Sequence, residues 1–261
     1  MEVLILPGPR QIAEFGADII EQHVHAEPAS VLGLATGSSP LAVYQELGRR
    51  IAGQRLSLAA CSAFLLDEYL GLPQGHPQSY REVIEREFVD LVDIPEDAVH
   101  GPDGSTSDVV AACADYERRI AAAGGVDVQL LGIGSNGHIA FNEPGSSLSS
   151  RTAARVLTDQ TRQDNARFFA GDVDSVPRHC LTQGIGTILE AGHLVLLATG
   201  EGKAEAVQQL VEGPISAFWP ATALQLHPHV SVLLDEAAAS RLQLREYYLS
   251  SAAHKLAGQG Y

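Results

Sequence analysis

Positive charge is scarce in this sequence. Seventeen Lys and Arg stand against 32 Asp and Glu, a formal charge of −15, and a field of that sign repels polyanions unless cations are gathered locally. Neither nucleic acid nor an anionic membrane surface is an expected partner. Cysteine is scarce too: Cys61, Cys113 and Cys180 are odd in number, far apart and never in a Cys-x-x-Cys pair. That argues against a disulfide framework and a structural zinc site, and fits a reducing cytoplasm. No apolar run approaches the roughly 18 residues needed to span a bilayer. The first residues carry Glu2 where a secretory signal wants a base, and break at Pro7. With 45% hydrophobic residues, no internal repeat and no low-complexity stretch, the expectation is one globular domain over residues 1–261, resident in the cytoplasm.

Five short apolar runs recur, at residues 31–35, 63–66, 126–131, 194–198 and 230–234. Runs of this length without polar alternation read as strands covered on both faces, the mark of a parallel sheet. Helical patterns lie between them. Residues 41–47 follow Ser38-Ser39-Pro40, which offers a hydroxyl cap and a proline at the first helical position. Residues 107–122 and 203–211 carry apolar side chains at three- and four-residue spacing. The expected fold is α/β, a Rossmann-like three-layer sandwich with a mostly parallel central sheet, and its ligand should lie outside the carboxyl ends of the strands.

Each predicted strand runs into a polar or glycine-rich loop. Gly132-Ile133-Gly134-Ser135-Asn136-Gly137, with Asp159 further on, formally matches the dinucleotide fingerprint, but Pro144, Gly145 and the serines that follow interrupt the helix such a site needs. The glycines suit close approach to a smaller ligand. Next come His138 and Glu143, an imidazole and a carboxylate able to pass protons near neutrality; the plainer alternative is a turn-capping histidine with Glu143 in solvent. Asp67-Glu68-Tyr69 reads as a loop that delivers a carboxylate at the end of a buried strand, where burial raises its pKa and makes it a better base. An acid there is equally the commonest helix cap.

Phosphate binding can be read in two pieces. Thr36, Gly37, Ser38 and Ser39 join a strand to a helix and present N–H groups and hydroxyls at the positive end of its dipole, without the Gly-Lys-Ser/Thr of a nucleotide-hydrolysing loop. Only two lysines, Lys203 and Lys255, accompany fifteen arginines, and Lys203 follows a strand and a turn, which marks it as a point charge kept for a purpose. The His23/His25 and His227/His229 pairs lack a third ligand and read as surface or loop residues.

Taken together these residues resemble the glucosamine-6-phosphate deaminase family. The resemblance runs in order from about Val31 to Glu236, through Gly33 to Pro40, Leu66 to Leu72, His76 to Tyr80, Gly132 to Pro144, Ser150 to Thr152, Thr161 to Phe169, Val176 to Thr187, Gly202-Lys203-Ala204 and Leu224 to His227. Phe141-Asn142-Glu143-Pro144 is its most specific part; the related 6-phosphogluconolactonases share the glycine turn and histidine but differ there. The resemblance implies conversion of glucosamine 6-phosphate and water to fructose 6-phosphate and ammonia, with no cofactor and no catalytic metal. It implies Asp67 as the base between C2 and C1, and His138 acting on the ring oxygen with Asn136 and Glu143 in support. Thr36, Gly37, Ser38, Ser39, Gly137, Arg167 and Lys203 would bind the sugar phosphate. Some members carry aspartate where Asn136 stands, so an altered pH profile is expected. Of the basic activator pocket of allosteric members, only Ser146 and Arg155 keep suitable character, so activation by N-acetylglucosamine 6-phosphate is not expected. A homo-oligomer is compatible with all of this. The rival readings are action on the galactosamine epimer and a sensor that binds sugar phosphate without turnover.

Overall fold

The computed structural model describes residues 1–256. In chain order the strands are β1 (Glu2–Leu6), β2 (Val31–Leu34), β3 (Ser62–Leu65), β4 (Asp67–Tyr69), β5 (Val99–His100), β6 (Val128–Leu131), β7 (Ala153–Val156), β8 (His179–Thr182), β9 (His193–Ala198) and β10 (Val230–Asp235). The α-helices are α1 (Pro9–Ala26), α2 (Ser38–Ala52), α3 (Tyr80–Glu87), α4 (Val109–Ala122), α5 (Asp159–Asn165), α6 (Ile185–Ile188), α7 (Ala204–Glu212) and α8 (Arg245–Ala253). Seven strands form one sheet in the order β1-β10-β9-β6-β2-β3-β5, and every neighbouring pair is parallel.

Why the apolar runs lack alternation is plain from where their side chains go. Along β9, Leu194, Leu196 and Ala198 pack with α4, α6 and α7, while Val195 and Leu197 pack with α1, α2 and α3. Successive residues of a strand point to opposite faces, and here both faces are covered, which gives the three layers. Each fully buried Leu or Val stabilises the sheet by roughly 1.5–3 kcal/mol.

The strand order also sets where a ligand fits. From β2 the chain steps outward through β3 to β5, then returns to β6 on the other side of β2 and continues through β9 to β10. This reversal opens a crevice beyond the carboxyl ends of β2 and β6. No helix begins at Gly137, as the proline and serines after it predict.

Several local expectations need correction. Asp67-Glu68-Tyr69 is a strand rather than a loop: β4 pairs with β8 in a small antiparallel sheet ordered β4-β8-β7. Only Leu66 separates it from β3, so Asp67 still falls at the carboxyl end of the large sheet. Helix α2 starts earlier than predicted: Gly37 is its N-cap, with a positive φ of 114°, so Ser38, Ser39 and Pro40 lie inside the first turn and no hydroxyl caps it. His227 is buried. Its Nε2–H donates to the Ala191 carbonyl (2.7 Å) and its Nδ1 accepts from the His229 N–H (3.1 Å), so it ties a turn together.

Candidate active site

A cavity of about 710 Å³ opens at the crevice, walled by residues from the ends of β2, β3, β6 and β9 and by α3 and the segment from Thr161 to Phe169. Of the residues singled out from sequence, Thr36, Gly37, Ser38, Ser39, Asp67, His138, Arg167 and Lys203 all line it. Asn136 and Glu143 stand behind His138 instead, bonded around it. Gly137 faces away: its N–H donates to the Gly134 carbonyl (3.0 Å), its own carbonyl accepts from Ala221 N (2.8 Å), and Trp219 leaves no room for a Cβ. It shapes the turn.

The turn after β6 is built around the imidazole. A Cβ on Gly134 would lie 2.3 Å from the His138 ring, so only glycine lets the ring lie over the backbone there. Asn136 donates from Nδ2 to Glu143 Oε2 (2.8 Å), which leaves its Oδ1 to accept from His138 Nδ1–H (2.8 Å) and from the His138 backbone N–H (3.2 Å). This chain of bonds fixes the tautomer: Nδ1 carries the proton and Nε2 is the basic nitrogen. Glu143 Oε2 lies 3.6 Å from Nδ1, beyond hydrogen-bond distance. Its Oε1 accepts from the hydroxyls of Thr158 (3.1 Å) and Thr161. Burial works to raise the Glu143 pKa, but His138, Thr161 and Asn136 together outweigh it and pull the pKa down to about 2. Two residues past the imidazole, Ala140 is held at φ 49°, a left-handed conformation a non-glycine residue adopts only under constraint. The neighbouring Phe141 N–H donates to the Thr182 hydroxyl (3.1 Å), and Asn142 Nδ2 donates to the carbonyls of Ile139 (3.1 Å) and Gln183 (2.8 Å).

Across the cavity Asp67 is 7% exposed, and its pKa is raised well above the ordinary value, first by burial and then by the adjacent charge of Glu68. A carboxylate held this way is a stronger base than one in water.

The remaining wall is cationic. Lys203 faces both Arg167 and Asp164; burial lowers its pKa, Asp164 partly offsets that, and Arg167 lowers it further. Arg167 also lies over the Phe168 ring, 4.7 Å from its centroid. The same cavity is lined by the first turn of α2, whose N–H groups at Ser38 and Ser39 have no partner within the helix. Among the described residues, no three His, Cys, Asp or Glu side chains gather as a metal-ligand group. Thr158, Tyr80, Asn165 and Gln78 were not singled out from the sequence. Thr158 supports Glu143, and the other three line the cavity. Gln78, Tyr80 and Asn165 lie in stretches that carry the family resemblance, but their residue types suggest no role by themselves, and Thr158 lies outside those stretches.

An α/β sheet with a strong buried base, an oriented imidazole and a cationic end around one cavity at its switch point defines an acid–base enzyme for a small anionic substrate. The profile of the family described as glucosamine-6-phosphate isomerases/6-phosphogluconolactonase matches residues 9–233, and the chain belongs to that family. It is 62% identical to the glucosamine-6-phosphate deaminase of Beutenbergia cavernae and 60% identical to that of Mycolicibacterium smegmatis, over 260 residues and the full length of both chains in each case. A solved structure described as a monomeric glucosamine-6-phosphate deaminase is 43% identical, with a TM-score of 0.89 over 92% of this chain and 99% of that one. The 6-phosphogluconolactonase of Trypanosoma cruzi shares the fold, at 22% identity and a TM-score of 0.76 over 93% of this chain and 97% of that one.

Proposed function

We propose that this chain is a glucosamine-6-phosphate deaminase, which converts glucosamine 6-phosphate and water to fructose 6-phosphate and ammonia. The observation that carries the reading is the single cavity that holds Asp67 and His138 opposite a cationic end. Lys203, Arg167 and the first turn of α2 take the phosphate through charge-assisted hydrogen bonds worth about 1.5–3 kcal/mol each. The fixed phosphate aligns the sugar along the cavity.

His138 Nε2 accepts the proton of the O1 hydroxyl and returns one to the ring oxygen, which opens the ring to the aldehyde. Glu143, ionised down to about pH 2, and Asn136 hold the imidazole in that orientation and steady the positive charge it gains in passing. Asp67 then removes the C2 proton while a proton passes from the substrate's own ammonium group to O1, which gives the enolamine, and Asp67 delivers its proton to C1, which leaves an iminium at C2. Water adds to that iminium, ammonia departs, and the C2 ketone of fructose 6-phosphate remains. The high pKa of Asp67 matches both halves of the transfer, since a stronger conjugate base takes the carbon-bound proton more readily and a neutral acid returns it. We take the enzyme to be cytoplasmic, without nucleic-acid or membrane partners, in keeping with the charge of −15 and three free thiols.

Ammonia release from glucosamine 6-phosphate, measured for the wild type and Asp67→Asn, tests the reading. Release slowed by about three orders of magnitude in the variant is the expected result. Release from the galactosamine epimer alone would reassign the substrate, and binding with no release from either would make the protein a sensor.

A further inference from the structure

Glu68, next to Asp67, lies outside the mechanism above and has no solvent role, being 6% exposed. Its carboxylate accepts three backbone N–H groups: Tyr69 (2.7 Å) and Tyr80 (2.9 Å) at Oε1, and Arg81 (2.9 Å) at Oε2. Tyr80 and Arg81 open α3, so the carboxylate occupies the positive end of that helix and ties it to β4. The other first-turn donor, Glu82 N–H, goes to the Ser79 hydroxyl (3.3 Å). Behind Glu68 the chain closes at Gly104, where a Cβ would lie 2.8 Å from Glu68 Cγ and 2.2 Å from the Tyr69 carbonyl.

We propose that Glu68 is a positioning residue for the reaction: its buried carboxylate locks β4 to the start of α3 and thereby sets Asp67 and the Tyr80 ring against the substrate carbons. This rests on the reading of Asp67 as the base. Glu68 also acts on Asp67 electrostatically. The other titratable groups facing Asp67 are Tyr69 on its own strand, Tyr80 of α3, Tyr116 of α4 and Cys180 of β8. Burial pushes all four up, so they stay neutral at working pH and Glu68 is the anion Asp67 feels. Glu82 faces Glu68 in turn.

The test is the pH dependence of kcat in Glu68→Gln, with Asp67→Asn and Ser79→Ala measured beside it. Loss of the clamp should lower kcat about tenfold to a hundredfold with KM little changed, and loss of the charge should move the acidic limb about one pH unit lower. Ser79→Ala loosens the same helix end without touching Glu68, so its limb should stay in place. Glu68→Asp keeps the charge on a shorter arm: its kcat should fall while its limb stays put, and it decides the matter if Glu68→Gln does not fold. An Asp67→Asn enzyme with kcat near that of the wild type would overturn the base assignment. A severely slowed Asp67→Asn beside a Glu68→Gln or Glu68→Asp enzyme of wild-type kcat would overturn the positioning role alone.

Discussion

Asp67 and Glu143 are both buried carboxylates at the carboxyl end of the sheet, 7% and 8% exposed, yet their acidities are driven apart. Glu143 sits in a nest of donors, Asn136, Thr158 and Thr161, beside an imidazole, and is pulled down to about 2. Asp67 is pushed up by burial, and the second anion beside it, Glu68, adds to that. Burial pushes both acids up, so it is the hydrogen-bond donors and the imidazole around Glu143 that reverse the direction there. One fold thereby supplies a carboxylate that stays ionised to steady a cation and another poised to take and return a proton.

The largest effect should come from breaking the high-pKa side. Asp67→Asn removes the group that handles the carbon-bound proton and should lower kcat by about three orders of magnitude, read as ammonia release. Glu143→Gln attacks the low-pKa side. It leaves Nε2 in place but removes the charge that steadies the imidazolium, so a loss of about a hundredfold is expected. That loss should shrink with a substrate analogue fixed in the open chain, because only ring opening uses His138. Equal losses on closed and open forms would mean that Glu143 serves the enolisation step as well.

A third substitution sharpens the contrast by leaving both carboxylates alone. Lys203→Ala removes a charge felt equally by bound substrate and transition state, so KM should rise about tenfold to a hundredfold with kcat nearly unchanged. Arg167→Ala should act the same way. If Lys203→Ala instead lowers kcat at fixed KM, the phosphate lies elsewhere and the lysine belongs to the chemistry.

How much of this was legible beforehand differs between the two carboxylates for a physical reason. The large sheet could be read because strands covered on both faces must be continuously apolar, and five of its seven strands were marked that way. β1 carries a comparable apolar run, Val3-Leu4-Ile5-Leu6, that was weighed only as a failed secretory signal, and β5 has only two residues, too few to leave a signal. The small antiparallel sheet was missed entirely: β7 is half-exposed and β4 is Asp-Glu-Tyr, so neither has an apolar run to detect. Asp67 could be picked out by its place after an apolar run, and His138 by the glycines that make room for it. The upward direction at Asp67 was legible as well, since it follows from burial at a strand end and from Glu68 next to it in the chain; the downward direction at Glu143 was not, because it depends on Thr158 and Thr161, 15 and 18 residues further on. Such partners are set by topology and leave no local mark.

The smallest effect, a few degrees of melting temperature, bears most directly on the comparison, because opposite pKa shifts require opposite dependence of stability on pH. Glu143 is lowered, so it stabilises the fold above its unfolded pKa of 4.5 and loses that contribution as pH falls toward 2. Asp67 is raised: it costs nothing below its unfolded pKa of 3.8, and the penalty for holding it ionised grows as pH rises through its folded value. Glu143→Gln should therefore melt lower than the wild type at pH 7 and approach it near pH 3. For a contribution of about 1–3 kcal/mol the gap at pH 7 is several degrees, at roughly 2–4 °C per kcal/mol. Asp67→Asn should match the wild type near pH 3 and melt a few degrees higher at pH 8, inactive but more stable. Thermal melts of the three proteins from pH 3 to 8 give both curves. An Asp67→Asn curve that falls below the wild type at pH 8 would mean the burial of Asp67 is compensated after all, and the contrast between the two carboxylates would not survive it.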